Sequence, residues 1–194
     1  MARRAEVAGG ALALAVTAFL LAVNFIAAGF AAQRQSGVLE IRIRDHRDAI
    51  GDFARLNIVI DKISLSPKAG IKFWQTGWKD FPANPDTIDL TKYVGKTSAR
   101  VYRGTIDAGA FEAFHLKIKR IDAILKKDQR AASVNNLIGA VKLPIEIRAG
   151  GETLLIIDLT VSDFTDHPPR GYELGLQGYE LFINGKLTAR IPPG

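Results

Sequence analysis

The chain of 194 residues contains no cysteine. That absence excludes disulfides, thiolate metal sites, a cysteine nucleophile and lipid attachment through an N-terminal cysteine. It leaves an extracytoplasmic location open, because a domain of ordinary size folds without bridges. Histidine is scarce as well: His46, His115 and His167 are scattered, with no metal-ligand spacing. No G-x-S-x-G elbow, phosphate loop, H-E-x-x-H motif or dinucleotide fingerprint occurs. The expectation is therefore a protein that is not an enzyme and holds no cofactor. No internal repeat is visible, and no long helical pattern follows the first 32 residues.

Those first residues carry the strongest signal. Val7 to Ala32 holds no charged side chain, and only Thr17 and Asn24 are clearly polar. The stretch exceeds the roughly 20 apolar residues that a helix needs to cross a bilayer. A cleaved secretory signal is the competing reading, with Arg3 and Arg4 as its charged start and Gly29-Phe30-Ala31 as a small-x-small site. An h-region usually runs only about 7–15 residues, so the length favours a retained transmembrane helix over 7–32.

Steps of three and four along it give Ala8, Ala11, Ala15, Ala18, Ala22, Phe25, Gly29 and Ala32. Small residues on one face let membrane helices approach closely, and Asn24 would seek a partner amide or carbonyl there. An alanine-rich segment also produces such a stripe by chance.

Residues 1–6 form a short arm whose Arg3 and Arg4 favour a cytoplasmic N-terminus. Residues 33–37 are a short polar link, and 38–194 are then an extracytoplasmic domain at a cell inner membrane. The formal net charge of +6 suits acidic partners or anionic headgroups.

From Leu39 the chain alternates, with Leu39, Ile41 and Ile43 inward and Glu40, Arg42 and Arg44 outward, as in a half-buried strand. Asp45 to Asp52 reads as a polar loop. Strand segments follow at Leu56–Leu65, at a hairpin between Ile71 and Phe81 around Thr76-Gly77, and at Thr87–Leu90, Arg100–Ile106 and Phe111–Leu125. Thr91 can cap one helical turn, and Lys126 to Asn136 reads as loop. Val141–Ile147, Thr153–Val161 and Tyr172–Ile183 complete the set. The apolar run Leu154–Ile157 suits a central strand covered on both faces. The fold class expected is mainly β: an antiparallel β-sandwich of about eight or nine strands behind one N-terminal transmembrane helix.

Three stretches carry a likeness: DHRDAIGDFARLNIVIDKISLSP, then GWKDFP with TIDLTKYVG, then RGTIDAGAFEAFHLKIKRIDAIL. In that order they resemble the domain-of-unknown-function 4382 family of prokaryotic extracytoplasmic domains. The resemblance covers roughly residues 37 to 125. It implies a β-sandwich behind a signal peptide or anchor, and it implies no catalytic residues. The loop DHRD departs from the Asp-Ala-Pro type of turn more common in the family.

Candidate contacts follow from residue type. Asp45, Asp48 and Asp52 are candidate ligands for a hard cation, although Arg44 and Arg47 among them would repel one, and a solvated turn is the plainer account. Asp163, Asp166 and His167 are better explained by their Pro-rich loop. Trp74 and Trp78 offer aromatic surface for a partner or a membrane interface, or for burial. Lys117, Lys119, Lys126 and Lys127, with Arg120 and Arg130, form a basic patch for headgroups or an acidic partner, or simply a solvated face. Nucleic acid is not an expected partner, since no basic motif interleaved with aromatics occurs.

The function expected is a non-catalytic accessory or scaffolding subunit of a larger integral membrane complex, such as a respiratory or photosynthetic one. Its partners would be integral membrane subunits and the bilayer. The alternative is a membrane-tethered module that binds a glycan or peptide.

Overall fold

The first strand, β1 (Ser36–Asp45), pairs with two segments that are far from it in sequence. This computed structural model describes residues 35–68, 77–168 and 171–191, all within one compact unit, 35–194. The stretch 7–32 with its small-residue face (Ala8, Ala11, Ala15, Ala18, Ala22, Asn24 and Gly29) lies outside the described residues, as does Trp74. Among the described residues no helix is long and apolar enough to cross a membrane.

The described chain is mainly β. After β1 come β2 (Phe53–Pro67), β3 (Lys79–Phe81), β4 (Thr87–Asp89), β5 (Ala99–Asp107) and β6 (Gly109–Leu125). Then follow β7 (Ala131–Ala132), β8 (Val134–Asn136), β9 (Val141–Ile147), β10 (Glu152–Asp163), β11 (Tyr172–Ile183) and β12 (Lys186–Ile191). Single 3-10 turns occur at Ala49–Asp52 and Leu90–Lys92.

One sheet runs β12-β11-β10-β1-β5, with β8 also on β11. The other runs β3-β2-β6-β7, with β4 on β2 and β9 on β6. Inward side chains of both sheets, among them Leu39, Ile41, Leu155 and Ile157 from one and Ile58, Ile63, Phe114 and Leu116 from the other, share one buried cluster.

Wholly antiparallel pairing does not hold. β1 pairs with β10 in parallel, Ile41 opposite Leu155, and β8 pairs with β11 in parallel. Parallel neighbours need a long connection, and here all of β2 to β9 intervenes. Local alternation reads which face a residue takes, but it is blind to pairing partners across a hundred residues.

The loop expected over 126–136 contains β7 and β8, which cross from one sheet to the other. A last strand, β12, follows the turn at Asn184-Gly185, where both residues have positive φ (49° and 75°). This pair forms the two-residue hairpin turn that Asn-Gly favours.

The domain's entry point is pinned by backbone. The Gln35 carbonyl accepts the Ala108 N–H at 2.8 Å, the Ser36 carbonyl accepts the Gly150 N–H at 2.8 Å, and the Val38 N–H donates to the Gly151 carbonyl at 2.9 Å. A Cβ on Gly37 would collide with the Arg148 carbonyl and lie 3.0 Å from Ile147 Cγ2, so only glycine permits this approach. The strand therefore enters beside the β9–β10 turn.

Candidate functional site

The basic face divides into two places. On the outer face of the second sheet, Asp61, His115, Lys117, Ile118, Lys119 and Asn136 line a hollow of about 480 Å³. β6 supplies His115 and Lys117 by alternation, since Phe114 before them and Leu116 between them point inward and are buried. The pairing with β2 slips around Ile60–Lys62, which lets Ile118 and Lys119 both reach this face.

Trp78, 45 % exposed, sets its ring edge-on to His115 with centroids 6.4 Å apart. Ser64, across from His115, donates its hydroxyl to Asp80 Oδ1 at 2.6 Å, and Lys62 donates to Asp80 Oδ2 at 2.6 Å. Lys62 is thus neutralised within the face. Among the described residues no ion pair engages Lys117 or Lys119. Burial, then the Lys117 ammonium, lower the His115 pKa against an opposing hydrogen bond with the Ile138 backbone. That leaves His115 a neutral ring at pH 7 between the tryptophan and the two lysines.

Lys126 and Lys127 lie elsewhere. With Gly51, Asp52, Asp163, Thr165 and Tyr172 they line a separate recess of about 360 Å³ at the far end of β6. There the Tyr172 hydroxyl donates to Asp52 Oδ2 at 3.2 Å. Burial, with Asp163 and Asp52 adding to it, pushes the Tyr172 pKa up to about 12. Lysines and carboxylates are balanced in this recess, and it attracts neither sign strongly. The structure therefore joins Trp78 with Lys117 and Lys119 and separates them from Lys126 and Lys127.

The three aspartates of the 45–52 segment also part company. Asp45 is fully buried at the end of β1, where its Oδ1 accepts the Arg47 N–H at 2.7 Å and its Oδ2 has no partner among the described residues. Asp48 stands before the 3-10 turn, and Asp52 takes the tyrosine hydroxyl. Among the described residues no group of three or more His, Cys, Asp or Glu is placed to hold a metal ion.

A third feature has no counterpart in the sequence reading. Between the sheets, at the end where the chain enters, a cleft of about 560 Å³ is walled by Phe111, Ile145, Ile147, Leu181, Ile183 and Ala189, with Lys68, Glu146 and Thr188 as its polar members. Two strands that are sheet edges among the described residues flank it: β9, paired there with β6, and β12, paired there with β11. Pro144 in β9 is the sequence mark of an edge, and Asn184-Gly185 is the mark of the hairpin that builds β12. Together they could have located the cleft.

The family model described as Domain of unknown function (DUF4382) matches residues 36–174. The chain belongs to this family. No curated protein and no solved structure matches it. The DUF4382 match takes in every residue of the tryptophan–lysine hollow. It ends within β11, so the β12 side of the cleft lies beyond the matched span.

Proposed function

We propose that this DUF4382 protein is a non-catalytic accessory subunit of an integral membrane complex. In this reading a retained helix over 7–32 anchors a β-sandwich on the extracytoplasmic side of the inner membrane. The helix docks by its small-residue face, and the domain docks by the outer face of its second sheet. The observation that carries the reading is the hollow around His115, where Lys117 and Lys119 outnumber the one carboxylate of the lining, Asp61, and stand beside an exposed tryptophan. Exposed aromatic surface next to cations suits the acidic outer surface of a partner, since Trp is enriched in interface cores and charge complementarity guides docking.

Purification of the native protein in mild detergent at low salt tests it. The protein should co-migrate with an integral membrane partner. The double variant Lys117→Glu with Lys119→Glu should weaken that association on the order of tenfold, and raised salt should weaken it in the same direction. If the parent migrates alone, the subunit reading is lost. The apolar cleft favours a second reading, a tethered module with a ligand of its own.

A further inference from the structure

We infer that the cleft between β9 and β12 binds a single-chain fatty carboxylate, with the acyl chain between the sheets and the carboxylate at Lys68. The wall is mainly hydrocarbon, from Phe111, Ile145, Ile147, Leu181, Ile183 and Ala189, with polar groups from Lys68, Glu146 and Thr188. Its volume of about 560 Å³ falls within the roughly 300–1,000 Å³ of small-ligand sites.

The polar members make the site selective for one kind of headgroup. Glu146 is already answered by Arg148 at 3.0 Å, so its charge is neutralised. The Thr188 hydroxyl donates to the Leu181 carbonyl at 3.1 Å and is occupied. Lys68 is exposed and has no ion pair among the described residues. A second cation, Lys79, lies 5.8 Å from the centroid of the Phe111 ring and is only loosely held by Asp107 at 3.8 Å, both groups being about half exposed. An apolar slot with spare positive charge at its rim complements an amphiphile whose head is anionic.

The cleft adjoins the point where the described chain begins. Gly109 and Ile147 of the cleft sit beside the entry point, where Gln35 bonds to Ala108 and Gly37 abuts Ile147. In sequence, Gln35 follows the apolar stretch ending at Ala32 by three residues. An extended peptide added to the free edge of β9 or β12 is the competing occupant, and Pro144 weighs against it on β9 because proline cannot donate to an added strand. This inference stands on the cleft and is independent of docking through the His115 face.

Photolabelling tests it. The full-length chain is reconstituted in phosphatidylcholine nanodiscs and exposed to a palmitic acid analogue carrying a diazirine near its methyl end. Adducts are then mapped by mass spectrometry. The expected result is labelling concentrated at residues 109–111, 144–147 and 181–189, and competed by excess palmitate. The exposed substitution Lys68→Glu should reduce the labelling roughly tenfold, as loss of a charge-assisted contact would. The same chain ending in an alcohol should label to a similarly reduced extent. The parallel arm with a diazirine phosphatidylcholine should leave the cleft unlabelled, because two chains and a zwitterionic head fit neither the slot nor the charge.

Labelling spread over the surface, labelling indifferent to headgroup charge and to Lys68→Glu, or labelling by the phospholipid alone would each overturn the inference. So would a cleft that stays unlabelled. Co-migration with a membrane partner would be unaffected by any of these outcomes.

Discussion

Replacing Arg44 with methionine should destabilise the domain by about 3–5 kcal/mol, because it strands a buried carboxylate. Asp158 is only 2 % exposed, yet it sits on the outer face of its sheet. Arg44 covers it: Nη2 donates to Asp158 Oδ2 at 2.8 Å and Nε donates to Oδ1. The bond to Asp158 raises the Arg44 pKa further against the opposing effect of burial, so the guanidinium stays charged throughout any accessible pH range.

Glu180, 3.6 Å from Arg44 Nη2, keeps a second partner in Arg190 at 2.6 Å and is not orphaned by the change. The penalty therefore centres on Asp158. The double variant Arg44→Met with Asp158→Leu should recover most of the loss, since a buried ion pair replaced on both sides by apolar groups is often neutral. Urea unfolding of parent, single and double variants measures this. A single variant within about 1 kcal/mol of the parent would show that water reaches Asp158 freely.

Arg44 and Asp158 also lie opposite each other in the parallel β1–β10 pairing. Their bond makes that register specific at one end. At the other end Glu40 is held by Arg42 and Arg103, and Arg103 reaches Glu152. Burial pushes the Glu40 carboxyl up, but the two arginines outweigh it and hold it below the ordinary range. Arg42 and Arg103 are more than a third exposed, so these bonds contribute less than the Arg44 pair. A slip of β1 by one residue would bury Arg42 and expose Ile41. The ion pairs and the apolar face thus favour the same register.

The alternation Leu39-Glu40-Ile41-Arg42-Ile43-Arg44 showed the inward face in sequence, and all three aliphatic residues are fully buried. It did not show that Glu40 would be buried too, because that depends on arginines contributed by two strands. The Leu154–Ile157 run did mark a central strand, flanked by β1 and β11, although Leu154 and Ile156 stay half-buried on its outer side. The basic patch was legible as composition and illegible as a site. β6 extends over 17 residues, so Lys117 and Lys126 belong to different surfaces. The cleft could not be read from either wall alone, since its two sides come from different sheets and their inward residues look like ordinary core.

Asp45 gives the second large effect, and its signature is pH dependence. Burial raises its pKa from 3.8 to about 6, opposed by the Arg47 N–H. The folded state therefore binds a proton more tightly than the unfolded chain does. The group's favourable contribution is fully present below about pH 4 and is lost as pH rises through about 6. At 1.36 kcal/mol per unit, the buried charge costs about 3 kcal/mol above neutrality.

Asp45→Asn keeps an oxygen for the Arg47 N–H and removes the titration. It also places an NH2 where Oδ2 has no partner, at a constant cost of about 1–3 kcal/mol that pH does not alter. The diagnostic quantity is therefore the change in the stability difference with pH. The difference between variant and parent should shift in favour of the variant by about 2–3 kcal/mol between pH 4 and pH 7.5. Other carboxylates in the domain, such as Glu40 with its lowered pKa, titrate in both proteins and cancel in the comparison. Denaturant midpoints across that range supply the measurement. A difference that stays flat with pH would mean that Asp45 is charged in the folded protein and has a partner for its second oxygen. The loop from Asp45 to Asp52 would then owe its shape to that partner instead of to a carboxyl that folding drives towards neutrality.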